Sequence, residues 1–260
     1  MSGPWELLAI SALAIAALMV VVWVISIFIR DASIVDMVWG LGFVVSAWVT
    51  YLGAGEGSVR GLLLTILVSL WGLRLSGYLI WRNLGKPEDY RYQEMRRQSG
   101  DQFWLVSLFR VFLLQGVLMW AISVPVTITQ RATADLFWLD YVGLAIWLVG
   151  LFFEAVGDFQ LASFKAHPDS KGKVMDRGLW RYTRHPNYFG DFVVWWGHYS
   201  LALAGGAWWT VFSPLVMSIL LLRVSGVAML EKTIGERRPE YAEYVRRTNA
   251  FFPGLPRGER

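Results

Sequence analysis

The chain has 260 residues and no cysteine; 55% of its residues are hydrophobic, 17% are charged, and its net charge is +4. A soluble domain of this length needs more charge on its surface, so the composition predicts an integral membrane protein with several spans. The lack of cysteine excludes disulfides and cysteine-ligated metals, and the small net charge gives no indication of a nucleic-acid partner.

Seven apolar segments are long enough to be membrane-spanning helices. In chain order they lie at about residues 5–29, 34–53, 60–81, 103–128, 136–162, 187–205 and 208–229. The first is longer than a signal-peptide core and lacks a basic region before it, so we expect it to be a retained span. Only a short Gly-rich turn separates the last two, which predicts a helical hairpin. We therefore predict one all-α membrane domain over residues 1–260, with seven transmembrane helices.

The basic residues orient this layout. With seven spans, most Lys and Arg residues fall on one side of the membrane, in residues 82–102, residues 163–186 and the C-terminal tail. The other side has only Arg60 and Arg131. Since basic loops favour the cytoplasm, we expect the C-terminus to be cytoplasmic and the N-terminus to lie outside.

Polar side chains within the predicted spans indicate a functional site, because burying them in lipid is costly. The candidates are Asp36, Arg74, Asp158, Asn187, Asp191 and Glu231. At about 1.5 Å per residue, all six lie within roughly 12 Å of the cytoplasmic edge. Because the six side chains lie at a similar depth, we predict that they form a polar pocket that opens to the cytoplasm. The simpler alternative is that each side chain reaches the interface or pairs with a neighbour.

The basic segments 82–102 and 163–186 alternate Lys and Arg with Tyr, Trp and Gly. Arg and Lys are the usual donors to phosphate, and aromatic rings suit adenine. This interleaving favours a soluble phosphorylated cofactor. Ordinary positive-inside charge, which needs no ligand, is the alternative.

The stretch GLWRYTRHPNYFGDFVVWWG and the tail EKTIGERRPEYAEYVRRTNAFFPGLP resemble the steroid 5α-reductase family and related membrane sterol reductases. The resemblance covers residues 154–256 well, which makes this the expected cofactor-binding half, and residues 1–153, the expected substrate side, more loosely. A G-x-x-x-Y-x-R-H-P-x-Y-x-G pattern also occurs in membrane methyltransferases of the isoprenylcysteine type. Asn187 and Asp191 favour the reductases.

The resemblance implies NADPH-dependent reduction of the conjugated carbon–carbon double bond of a 3-oxo-4-ene steroid or similar lipid enone. The enone would enter from the bilayer and NADPH from the cytoplasm. The residues expected to contact the cofactor are Arg74, Arg82, Lys86, Asp158, Lys165, Arg181, Tyr182, Arg184, His185, Asn187, Asp191 and Tyr244. Those expected to contact the substrate are Trp39, Trp71, Trp195, Trp196 and His198.

The catalytic pair of the resembled family is a carboxylate on the second span and a tyrosine on the third. The carboxylate position falls on Asp36, whereas the tyrosine position falls on Trp71, which has no acidic proton to give. Tyr78, two turns further along, is the nearest substitute. We expect no metal site, because His185 and His198 would lie about 20 Å apart on a helix.

Two other functions stay open at this point. One is an S-adenosylmethionine-dependent membrane methyltransferase, which would need fewer basic side chains than an NADPH enzyme. The other is a non-catalytic lipid-binding protein or scaffold. In each case we expect a monomeric multi-pass protein of the bacterial inner membrane or the endoplasmic reticulum, with any cofactor site facing the cytoplasm.

Overall fold

The computed structural model describes residues 2–55, 58–224, 227, 231 and 241–257, and all regular structure within them is helical. The chain forms two compact units. Unit one comprises residues 1–136 and 202–210, and unit two comprises residues 137–201 and 211–260. The resemblance divided the chain at residue 154, whereas its packing divides it at residue 137.

The described residues of unit one form seven α-helices. They are α1 (Pro4–Ile29), α2 (Ile34–Met37), α3 (Trp39–Gly53), α4 (Val59–Asn83), α5 (Tyr90–Ser99), α6 (Phe103–Ser107) and α7 (Leu114–Thr129). A 3₁₀ turn at Gly100–Gln102 and a π-helical segment at Leu108–Leu113 join the last three, so that Tyr90–Thr129 is one helical stretch. The segment predicted as a basic loop therefore contains helix α5.

Unit two is built around α8 (Trp138–Ala166) and most of α9 (Pro186–Ala204). Short 3₁₀ turns lie at Pro168–Ser170 and Gly178–Arg181. After a 3₁₀ turn at Trp208–Val211 come α10 (Phe212–Ile219), a π-helical segment at Leu220–Val224 and α11 (Tyr241–Arg247).

Local sequence signals explain several helix ends. Pro4 opens α1, where a missing N–H costs nothing, and the Gly3 N–H donates to the Glu6 carboxylate at 2.8 Å. Ser58 caps α4 by accepting the N–H of Gly61 at 2.9 Å. After α9, Gly206 adopts a φ of +84°, which closes the turn expected before the seventh segment.

Close helix packing in unit one depends on glycine. α3 packs against α1, α4 and α7. Where α3 meets α4, a Cβ atom on Gly40 would lie 2.3 Å from the carbonyl oxygen of Gly72, so no larger residue fits without moving the backbone. Small residues that let backbones approach are typical of membrane helix pairs.

The fold confirms an all-helical protein with helices that can cross a membrane. Within the described residues four helical stretches are long and apolar enough: Pro4–Ile29, Val59–Asn83, Tyr90–Thr129 and Trp138–Ala166. Trp39–Gly53 and Trp208–Val224 are apolar but shorter. The second predicted segment is interrupted at Val38, between α2 and α3, and the end of the seventh lies largely outside the described residues. Seven crossings and their orientation stay a prediction.

Candidate functional site

Asp36 is the centre of a polar cluster in unit one, which we call the Asp36 cluster (Asp36, Asp89, Arg91, Tyr92 and Gln115). Asp36 lies on the short helix α2. Its Oδ2 atom accepts a hydrogen bond from Arg91 Nη2 at 2.8 Å, and its Oδ1 atom accepts one from the Tyr92 hydroxyl at 2.8 Å. Gln115 Nε2 on α7 donates to the Tyr92 oxygen at 3.3 Å. Both carboxylate oxygens are therefore held by side chains of α5.

Helix α5 is positioned for this role by its first residues. Asp89 caps α5 by accepting the backbone N–H of Arg91 at 3.0 Å, and the same oxygen accepts Arg91 Nε at 2.8 Å. Burial raises the pKa of Asp89, but the hydrogen bonds from Arg91 outweigh it and leave this pKa below its ordinary value. Glu88 accepts the backbone N–H of Ala32 at 2.8 Å, which ties α5 to the turn before α2.

The cluster pairs a buried hydroxyl with a reachable carboxylate. Tyr92 is 6% exposed, whereas the side chains of Asp36 and Arg91 are 32% and 33% exposed. A tyrosine hydroxyl has one hydrogen, which it can donate to a carboxylate or, after rotation about its C–O bond, to the oxygen of a substrate carbonyl. The arrangement thus offers the carboxylate–tyrosine pair that ketone polarisation needs.

Arg91 and Tyr92 were not expected at this site, because they lie in a segment that the sequence predicts as a basic loop. The available signal was the helix start at Pro87–Asp89, since an Asp before a helical run is a typical N-cap. That signal predicts α5 but not its position opposite Asp36.

Tyr78, the substitute chosen from sequence, has other neighbours. The centroid of the Tyr78 ring lies 6.0 Å from that of Trp81, and the Arg82 guanidinium lies 5.6 Å from the Tyr78 centroid. Its catalytic role stays a prediction. Trp71 is fully buried and packs edge-on against Phe43 at 5.6 Å, so it is a core residue of unit one.

The other cofactor and substrate candidates of unit one differ in exposure. Arg82 and Lys86 are exposed at the end of α4 and just beyond it. Arg74 is half-buried on the same helix. Trp39 is half-buried and packs edge-on against Phe43, with ring centroids 5.6 Å apart.

The Asn187 cluster of unit two (Asn187, Asp158 and Asp191) lies where α8 and α9 pack closely. A Cβ atom on Gly157 would lie 3.1 Å from the backbone nitrogen of Asn187. Asn187 Nδ2 donates to Asp158 Oδ1 at 3.0 Å, so the structure brings these two expected cofactor residues together. Asp158 is buried, and Asp191 is half-buried one turn after Asn187.

Asn187 leaves one polar atom unsatisfied. Its Oδ1 atom is buried, and no residue in the described part of the chain donates to it. A buried acceptor of this kind is costly unless a donor reaches it. Because Nδ2 is fixed by Asp158, the side chain presents Oδ1 as an acceptor for an N–H or O–H group of a ligand.

Arg184 and His185 hold the tail of the chain. Arg184 is 8% exposed, and its Nε and Nη2 atoms donate to Glu231 Oε1 at 2.9 and 2.7 Å. Its Nη1 donates to the carbonyl of Thr248 at 2.7 Å. His185 Nε2 lies 3.2 Å from the same Glu231 oxygen. The hydrogen bond to His185 lowers the pKa of Glu231; burial opposes this, and Arg184 lowers it further. Most Arg184 donors are thus engaged within the protein, and its predicted contact with a cofactor stays a prediction.

Further hydrogen bonds extend this attachment. The Tyr244 hydroxyl donates to the carbonyl of Trp180. Thr183 donates to the carbonyl of Phe251 at 2.7 Å. Burial raises the pKa of Tyr244, so its hydroxyl stays protonated. Tyr244, expected from sequence at the cofactor, closes the tail over the Gly178–Arg181 turn.

The remaining candidates of unit two fall into two groups. Lys165, Arg181 and Tyr182 are exposed and can be reached by a ligand. Trp195 and His198 are buried, and their rings lie 5.1 Å apart. In the part of the chain that is described, no three His, Asp or Glu side chains are grouped as a metal site requires.

Comparison with known proteins places the sequence in a family without assigning a reaction. The family described as "Protein of unknown function (DUF1295)" matches residues 22–248. A Schizosaccharomyces pombe protein described as "Uncharacterized protein C594.04c" is 25% identical over 267 residues, which cover 90% of this chain and 76% of the relative. No solved structure matches the chain.

Proposed function

We propose that this chain, which belongs to the DUF1295 family, is an integral membrane reductase that uses NADPH to reduce the conjugated double bond of a lipid enone such as a 3-oxo-4-ene steroid. The observation that carries the proposal is the 2.8 Å hydrogen bond between Tyr92 and Asp36. Asp36 is the residue to which the resemblance assigns catalysis. Seven crossings, with the basic segments in the cytoplasm, belong to the same proposal.

Tyr92 serves as the donor to the substrate ketone. Negative charge develops on the ketone oxygen during reduction, and a positioned hydroxyl in a site with little water stabilises it. The Tyr92 O–H, directed at Asp36 without substrate, rotates to the ketone. Gln115 continues to donate to the Tyr92 oxygen, and Arg91 continues to hold Asp36.

The residues of unit two fit a nicotinamide cofactor in two respects. The buried Oδ1 atom of Asn187 lacks a donor among the described residues, and a carboxamide N–H supplies one. The exposed Arg181 and Lys165 suit phosphate groups. When bound, NADPH supplies the hydride that reduces the β-carbon.

The first test is enone-dependent consumption of NADPH by the purified, detergent-solubilised protein, with a progesterone-like substrate. We expect Tyr92→Phe to lower kcat by about 10²-fold or more, the usual contribution of a positioned proton donor. Tyr90→Phe is the matched control, because Tyr90 lies on the same helix and is 59% exposed. Full activity of Tyr92→Phe would refute the assignment, and loss of activity only in Tyr78→Phe would favour the residue chosen from sequence.

The second test identifies the cofactor. A ligand that binds only the folded state raises the thermal midpoint, and the stabilisation grows with the logarithm of the ratio of ligand concentration to Kd. We expect NADPH to raise it, and Asn187→Ala to remove most of the shift. A shift with S-adenosylmethionine alone would replace the proposal by methyl transfer. No shift with NADPH, NADH or S-adenosylmethionine would favour a non-catalytic protein.

A further inference from the structure

A pocket lies in unit one at the end of α1, and none of the residues that line it belongs to the Asp36 cluster. Its volume is about 160 Å³, several times the roughly 30 Å³ that one water molecule occupies. The residues that line it and matter here are Ser26, Arg30, Arg96, Phe103, Trp104 and Ser107. The proposed reaction uses none of them.

The pocket carries an excess of positive charge. Arg96 donates to Glu88 through Nε at 3.1 Å and through Nη2 at 2.8 Å. Its guanidinium also stacks 4.1 Å from the centroid of the Phe103 ring, so this cation is both fixed and neutralised. Arg30 forms no ion pair with any carboxylate that the structure describes. One uncompensated arginine therefore faces the pocket, and an anion is the ligand it favours.

The two helical stretches that carry most of the lining residues also have exposed apolar side chains. Phe28 on α1 is 82% exposed, and Trp104 and Phe109 on the stretch Tyr90–Thr129 are 51% and 59% exposed. Both helical stretches are long and apolar enough to cross a membrane. Trp23 donates through Nε1 to the Trp104 carbonyl at 2.9 Å, and paired tryptophans are typical of the lipid–water boundary. A ligand here would have a polar head at Arg30 and apolar chains along the two helices.

The two serines favour a head group that donates hydrogen bonds. Ser26 donates to the Trp23 carbonyl at 2.7 Å, and Ser107 donates to the Trp104 carbonyl at 2.9 Å. Since each hydroxyl hydrogen is engaged, the serine oxygens are left as acceptors. The oxygens of a phosphate diester only accept hydrogen bonds, so they match the donors of Arg30. The hydroxyls of a glycerol head group can donate hydrogen bonds to the serine oxygens.

We infer that this pocket binds the head group of an anionic phospholipid with hydroxyl donors, such as phosphatidylglycerol. Arg30 contacts the phosphate, Ser26 and Ser107 accept from the head-group hydroxyls, and the acyl chains lie on the exposed faces beside Phe28 and Phe109. This inference does not depend on the proposed reaction.

The test is native mass spectrometry and thermal unfolding of the delipidated full-length protein, titrated with phosphatidylglycerol. Phosphatidylcholine with the same acyl chains, phosphatidic acid and glycerol 3-phosphate are the comparison ligands. We expect tight binding of phosphatidylglycerol only, weakened at least fivefold by Arg30→Gln, the factor that about 1 kcal/mol per basic residue gives. Arg97→Gln, a matched control, should leave binding unchanged, because Arg97 is 75% exposed and pairs with Glu94.

Ser26→Ala provides a variant that keeps the charge and the helix. We expect it to reduce the preference for phosphatidylglycerol over phosphatidic acid. Equal binding of phosphatidylglycerol and phosphatidylcholine would overturn the inference. Equal effects of Arg30→Gln and Arg97→Gln would do the same, because they would show attraction to surface charge alone. Binding of glycerol 3-phosphate as tight as that of the lipid would show a site for soluble phosphate esters instead.

Discussion

Replacing Arg184 by glutamine should release the C-terminal tail. The change removes the Arg184 donors from the Thr248 carbonyl and from the Glu231 carboxylate, which keeps only its contact with His185. Removing one partner of a buried ion pair costs about 3–5 kcal/mol. Arg184 is 8% exposed but Glu231 is 29% exposed, so solvent screens part of this loss and we expect a cost near the lower limit, about 3 kcal/mol.

Hydrogen exchange of the backbone amides in residues 241–257, measured in detergent, gives a direct readout of this release. A cost of about 3 kcal/mol corresponds to roughly 10²-fold faster exchange through local opening. Arg247→Gln is the matched control, because Arg247 is 37% exposed and lies 3.5 Å from Asp176. Pairs of this kind contribute about 0–1 kcal/mol.

The alternative for Arg184 is the cofactor contact expected from sequence. If Arg184→Gln left tail exchange as slow as in Arg247→Gln but abolished the thermal shift with NADPH, the structural role would be refuted. Arg184→Lys separates charge from geometry. Lysine keeps the positive charge but lacks the planar guanidinium whose separate nitrogen atoms donate to both Glu231 and Thr248. We expect it to recover only part of the protection.

Two further predictions concern unit two. The folded-state pKa of Glu231 lies below its ordinary value of 4.5. The ionised carboxylate therefore contributes stability at neutral pH, and this contribution is lost as the pH falls below 4.5 and through the folded-state pKa. The thermal midpoint should fall across this acid range, and Glu231→Gln should remove the part of the fall that Glu231 causes. Gly190→Ala would place a Cβ atom 2.3 Å from the backbone nitrogen of Glu154, which should lower the free energy of unfolding by about 1–3 kcal/mol. Gly77→Ala is the control for this substitution, because nothing lies within 4 Å of the added atom; thermal midpoints that fall equally in both variants would contradict the packing argument.

The sequence determined the class of protein and the positions of its long apolar helices. Long apolar segments such as residues 5–29 and 60–81 satisfy their own backbone hydrogen bonds, so they form helices wherever they pack. Asp158 and Asn187 were also both expected at one cofactor site, because the resemblance assigned both residues to it, although it did not predict their hydrogen bond. These features depend on residues that are close in sequence or that belong to a recognised motif.

Only the tertiary structure decided which polar groups meet. Tyr92 lies 56 positions after Asp36, in a segment whose composition matches that of a basic loop, and no local pattern places it at that carboxylate. Arg184 shows the same limit, since an arginine can bind a phosphate, a carboxylate or a carbonyl, and only its neighbours show which one it binds. Trp71 and His198 are fully buried, which the sequence did not indicate, and their expected contact with a substrate stays a prediction. Local periodicity determines which face of a helix is apolar, whereas the partner of each side chain depends on contacts between distant segments.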